Sequence, residues 1–374
     1  MSNPIAPIAP PVKHDRVVYL FGAGASHACA KAVGSAYGTL MKDLVVDLAE
    51  ELRTVVMAAP TRTKSLESLV NDVMNDDADI EQIITFLDES PSQQHRDFAG
   101  VVRATFSKVL RKRLEQIRSE LGDTPDDLYY ALLDMHEVPG FREDLKGFLT
   151  LNYDEYLDHA IKRSTTHNLD QGVSVGVTPM PSGGVRTLKL HGSFGWDDAC
   201  PITTTGSGEL WIPPGIQKAK DRYPFNVLWG LARELLECDV LRIVGCRLGP
   251  NDWDLISLLF TTRHTSSTER SYRIEVIDAP KRAFDINSAF PYLAVQSLLE
   301  IEPVGQQFVS ELIGGDPRPY QTLTPIEQGE VIMKAGTDRN WFRLWLKLKA
   351  EAAYRDLGRI ETPKGALKKL MEAH

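Results

Sequence analysis

From Val17 to Phe21 every side chain is apolar, and the run stops at Gly22 and Gly24. A short apolar stretch without alternation, ending at glycines, predicts a strand buried on both faces that enters a tight turn. Helical spacing follows from Ser26 to about Val56, with Gly34 and Gly38 as weak points. Four more runs carry the strand signal: Lys146 to Leu151, Arg186 to Leu190, Val240 to Gly245 and Tyr272 to Ile277. Between the first strand and these lies a region, about 58–139, with helical periodicity only. Its segments are Ser65 to Met74, Asp79 to Asp88 with Asp79 as N-cap, Gln93 to Glu120 and Asp126 to Met135.

Strands that alternate with helices, and are apolar on successive residues, predict an open parallel sheet covered on both faces. The expected fold class is therefore α/β: a doubly wound, Rossmann-like parallel sheet with a helical insertion and a C-terminal helical appendage. The expected division is a Pro-rich tail at 1–15, one nucleotide-binding domain at 16–314 with the insertion inside it, and a helical segment at 315–374. The last segment holds an amphipathic stretch, Asn340 to Leu357, whose stripe of Trp341, Phe342, Trp345 and Leu348 suits either core packing or self-assembly. Thr203 to Pro214, rich in Gly, Thr and Pro, reads as a loop near the strand ends.

Charge changes the picture modestly. The chain carries 51 acidic and 42 basic residues, a net charge of -9, which argues against nucleic-acid binding through the overall field. The densest cationic cluster, Arg111-Lys112-Arg113, reads as a solvated helix face, with an acidic-partner surface as the alternative. Four cysteines with no CxxC pair suggest neither a zinc site nor a disulfide framework, and a reducing cytoplasm is the expected location. The longest apolar stretch, Leu44 to Ala59, is broken by Asp47, Glu50, Glu51 and Arg53, so no membrane span is expected.

The candidate chemistry sits where strands end. Gly22-Ala23-Gly24-Ala25-Ser26 follows the first strand and opens a helix, the setting in which a backbone approaches a pyrophosphate and the helix N-terminus stabilises its charge. A dehydrogenase fingerprint would want a third glycine where His27 stands. A tight turn with Ser26 as N-cap is the alternative. Two further strands end in Asn152-Tyr153-Asp154 and in His191-Gly192-Ser193. Ligands in open α/β sheets bind at the carboxyl ends of strands, so Ser26, Asn152, Asp154 and His191 are candidates for one crevice. Singly, Asn152 and Asp154 could cap the following helix and His191 could be a turn residue; Asp252 likewise reads as an N-cap or a pocket residue.

The order GAGAS at 22–26, TLNYD at 150–154, LHGS at 190–193, then Ile243-Val244-Gly245-Cys246 with Leu248-Gly249 and Asp252, resembles the bacterial sirtuin-like family over roughly residues 15–305. The resemblance implies that NAD is the substrate and that no metal takes part. It places the phosphates at Gly22, Ala23, Gly24 and Ser26, the water and nicotinamide ribose at Asn152, a base at His191 and the nicotinamide amide near Asp154. Gly245 would face the adenosine half, and Asp278 a ribose hydroxyl. Deacetylating sirtuins carry a CxxC…CxxC module after the histidine, whereas Trp196 to Gly215 holds one cysteine, and Leu151 replaces their glutamine. The resemblance therefore implies an NAD glycohydrolase of the anti-phage effector type. Such effectors are regulated by self-assembly or by a partner such as a HerA-type ATPase. A non-catalytic NAD or ADP-ribose sensor, an ADP-ribosyltransferase and a deacylase are the alternatives.

Overall fold

The computed structural model of the 374-residue chain describes residues 14–35, 40–58, 68, 71, 80–121, 126–139, 141–173, 184–196, 211–212, 221, 223–265, 272–302, 304–312, 314–315, 318–336, 339–356, 363 and 365–372. The Pro-rich tail up to residue 13, the expected N-cap Asp79, most of Ser65 to Met74, Cys200 and most of Thr203 to Pro214 lie outside them.

Among the described residues, seven parallel strands form one sheet: β1 (Asp15–Phe21), β2 (Glu143–Thr150), β3 (Leu169–Asp170), β4 (Val185–Lys189), β5 (Val240–Val244), β6 (Arg273–Ile277) and β7 (Gln296–Ser297), in the order β3-β4-β2-β1-β5-β6-β7. The chain is doubly wound α/β. It leaves β1 towards one edge, builds β2, β3 and β4, then returns to lay β5, β6 and β7 on the other side. The strand with the longest apolar run takes the centre, and both edges are two-residue strands that offer little unpaired backbone.

The alternation of β1 divides two cores. Val17, Tyr19 and Phe21 face one side, where α1 (Ala23–Ala32), α5 (Asp127–His136), α6 (Tyr156–Arg163), α10 (Val304–Leu312), α11 (Pro325–Ala335), α12 (Trp341–Asp356) and α13 (Gly365–Glu372) pack. Val18 and Leu20 face the other, covered by α7 (Phe225–Leu235), α8 (Trp253–Thr265) and α9 (Pro280–Ala289). A third cluster joins α2 (Met41–Ala58), α3 (Ile80–Glu89) and α4 (Gln93–Leu121) into a helical layer, and Phe194 and Trp211 from the strand-end loops complete it. The stretch of helical spacing from Ser26 to Val56 forms two helices, parted at the expected weak point. It breaks after Ala32, where Gly34 takes a positive φ of 84° that side chains disfavour.

The C-terminal stripe is spent inside the chain. Trp345 lies edge-on to Tyr19 at 6.2 Å and Phe342 packs on Phe21 at 6.0 Å. Arg242, buried in mid-strand, lies over both the Tyr19 and Trp345 rings and is held by Glu143 at 2.5 and 2.8 Å and by Glu275 at 2.8 Å; Lys349 of α12 reaches the same Glu143 at 2.8 Å. Burial alone would raise the Glu143 carboxyl, but Arg242 and Lys349 hold it well below the usual carboxylate range. Among the described residues, no helix is long and apolar enough to cross a membrane.

Candidate active site

The parallel ladder runs one residue past the strands and aligns their ends. Leu190 N–H donates to Thr150 O at 2.9 Å, Leu151 N–H to Phe21 O at 3.0 Å, Gly22 N–H to Val244 O at 3.0 Å and Gly245 N–H to Ile277 O at 3.4 Å. His191, Asn152 with Asp154, Gly22 to Ser26, Gly245 and Asp278 thus stand at the carboxyl ends of five neighbouring strands. The winding changes direction between β1 and β5, the place where open α/β sheets leave a ligand crevice.

The glycines at that switch point are required first by close backbone packing. A Cβ on Gly22 or Gly24 would lie 2.7 Å from Gly245 O, and one on Gly245 2.2 Å from Ala25 N. Gly24 N–H donates to Gly245 O and Ala25 N–H to Gly22 O, both at 2.9 Å, so two amides of the turn are already committed within the protein. Ala23 is the exposed residue of the turn, at the positive end of α1. Ser26 is not the N-cap expected of it as an alternative. Gly22 holds that position and Ser26 lies inside the first turns of α1, 1% exposed.

Ser26 is the hub. Its hydroxyl donates to Asp154 Oδ2 at 2.6 Å and accepts from Asn152 Nδ2 at 2.9 Å; the same Nδ2 donates to Gly22 O at 2.9 Å. Only a nitrogen can face the Gly22 carbonyl, so the amide orientation is fixed by the network. Both amide hydrogens are used, which makes Oδ1 the acceptor of the Asn152 side chain. Asp154 is partly exposed, and its Oδ1 accepts from Tyr156 N–H at 3.2 Å, which caps the start of α6. Burial raises its carboxyl, against the lowering pull of Lys189 and Ser26.

Two residues missed by sequence reasoning hold this cluster. Burial raises the phenol of Tyr129 of α5, 1% exposed, well above its ordinary value, against the lowering pull of Ser26 and Asn152. Lys189, the last residue of β4 and 1% exposed, donates to Asp158 Oδ2 at 2.6 Å and also to the Asp154 carbonyl. A lysine in the apolar run Thr187 to Leu190, two residues before His191, was the available signal; Tyr129 left none. Replacing Lys189 by Met strands a buried carboxylate at Asp158 and is expected to cost about 3–5 kcal/mol. Urea unfolding would measure it, and adding Asp158→Leu should recover most of the loss, because removing both charges removes the uncompensated one.

His191 is 7% exposed and its carbonyl accepts from Ile212 N–H at 2.7 Å. Asp278 stands apart: its partners are Ala279 N–H at 2.6 Å and Arg282 at 3.8 Å, and burial raises its carboxyl. Asp252 accepts from Gly249 N–H at 3.2 Å just before α8. A cavity of about 400 Å³ lies between α7 and α8, lined by Trp229, Arg233, Asp254 and Ser257 among others. Among the described residues there is no group of three or more metal-ligating side chains.

No protein-family model matches this sequence, and no curated protein matches it. Among solved structures, one from work on the structural basis of the mechanism and regulation of Sir2 enzymes is similar over 87% of this chain and 93% of that chain, at 12% identity and a TM-score of 0.32. A superposition that loose carries no argument about the site.

Proposed function

We propose that the strand-end site cleaves the bond between nicotinamide and ribose in NAD and passes the ribose to water. The observation that carries this reading is the locked Asn152 amide. It presents an acceptor at the switch point, with a histidine at the end of the next strand but one from β1 and the N-terminus of α1 beside it.

The chemistry asks little covalent work of the protein. Nicotinamide leaves with the bonding electrons and becomes neutral, so the ribose carbon passes through an oxocarbenium-like state of the kind met in glycoside hydrolysis. Asn152 Oδ1 accepts a hydrogen bond from the attacking water or a ribose hydroxyl and orients it, and His191 takes the proton that water loses. The diphosphate lies against the start of α1 near Ala23. Gly245 lines the adenosine side and Asp278 supplies an acceptor for its ribose. Within this reading the chain would serve as a regulated anti-phage effector, active once assembled with itself or with a partner.

Chromatography of NAD incubated with purified protein, with and without an acetylated peptide, tests the reading. Nicotinamide and ADP-ribose in equal amounts, independent of peptide, are expected. NAD that binds but is never cleaved would favour a sensor or an enzyme awaiting its partner, and peptide-dependent cleavage a deacylase.

A further inference from the structure

The residue between Asn152 and Asp154 grips the histidine loop from two sides. The Tyr153 carbonyl accepts from Ser193 Oγ and from Phe194 N–H, both at 3.2 Å. Its hydroxyl, at the other end of the residue, donates to Ile212 O at 2.8 Å. Ile212 N–H in turn donates to His191 O at 2.7 Å, and Gly192 pairs with Trp211 in an antiparallel bridge. The strap at Trp211–Ile212 is thereby fastened to His191 on one side and to Tyr153 on the other.

The rings repeat the arrangement. Tyr153 stacks on Phe194 with centroids 5.3 Å apart and planes 20° apart, meets Trp211 edge-on at 5.4 Å, and lies 6.4 Å from the His191 ring. Phe194 and Trp211 belong to the core of the helical layer, where Arg111 sits over Phe194 at 4.3 Å and Phe106 stacks on Trp211. Part of the cationic cluster read as a solvated face therefore packs against the loop that follows His191. Burial pushes the Tyr153 phenol far above its ordinary value, so it stays a neutral donor at any working pH.

We infer that Tyr153 is a positioning residue that sets His191 relative to Asn152, through the Trp211–Ile212 strap and the helical layer behind it. This rests on the proposed NAD-cleaving role of His191, but its structural content does not. A ring alone would satisfy the aromatic packing. The hydroxyl is needed only to hold the strap.

Tyr153→Phe keeps the ring and removes that single bond. The expected result is a fall in kcat of about 10- to 100-fold, the usual effect of a small misplacement of a reacting group. KM for NAD should stay within about twofold, since the Tyr153 side chain meets Ile212, Phe194 and Trp211 on the side of the histidine loop. In a His191→Ala background the same substitution should do nothing further, because its effect runs through that side chain. The second readout needs no turnover: imidazole NMR signals of His191, identified by their disappearance in His191→Gln, should shift or broaden in Tyr153→Phe. An equal fall in kcat with and without His191 would overturn the inference. So would unchanged His191 signals. If the purified wild type does not cleave NAD, the kinetic readout is lost and the imidazole spectrum alone decides whether Tyr153 positions His191.

Discussion

Replacing His191 with alanine is expected to slow NAD cleavage by about 10²- to 10⁴-fold, the range for losing a general base. The expectation follows from where the side chain sits. β4 ends two residues earlier, the strap Trp211–Ile212 fixes the histidine backbone, and Asn152 stands at the end of the neighbouring strand. Affinity for NAD should change far less, because the proposed diphosphate site is the start of α1. Steady-state kinetics with parallel measurement of NAD binding would check both. A fall of less than about threefold would remove His191 from the mechanism, since no general base is worth so little.

Gly245→Ala is expected to damage fold and site together. Gly245 has φ 59°, and a Cβ there would lie 2.2 Å from Ala25 N and 2.4 Å from Gly24 C. The left-handed backbone costs a side chain about 1–2 kcal/mol, and forcing atoms into a packed contact about 1–3 kcal/mol, so a loss of about 2–5 kcal/mol is expected. Relief can come only by moving the turn at Gly22 to Ser26, which would also displace Ser26 from Asn152. Urea unfolding measures the first effect and NAD binding by the remaining folded protein the second. Gly230→Ala is the control: its Cβ meets open space on a helix, and it should be neutral or slightly stabilising.

The central strands were legible because burial on both faces demands unbroken apolar runs. Val17 to Phe21 and Val240 to Val244 show this, even with Arg242 interrupting the second. The edges were not. Leu169–Asp170 and Gln296–Ser297 are two residues long, too short to carry any period. The site was half legible for a related reason. Glycines and polar residues directly after a strand advertise themselves, but the partners that fix them come from distant segments. Ser26 meets Asp154 across 128 positions, Arg242 meets Glu143 across 99, and Tyr129 approaches from a helix with nothing unusual in its pattern. The Arg111 cluster shows the same limit, since helical periodicity cannot say whether a charge faces water or a ring. Amphipathicity of the last helices likewise gives a stripe without saying what it meets. The structure sets it against Tyr19 and Phe21.

The most direct measurement is a crystal structure with ADP-ribose bound. The account predicts the ligand across the ends of β4, β2, β1, β5 and β6, its diphosphate at Ala23, its terminal ribose between Asn152 Oδ1 and His191, and its adenosine beside Gly245 and Asp278. ADP-ribose in the cavity between α7 and α8, or at the strand ends with Asn152 and His191 both out of reach of the terminal ribose, would contradict it.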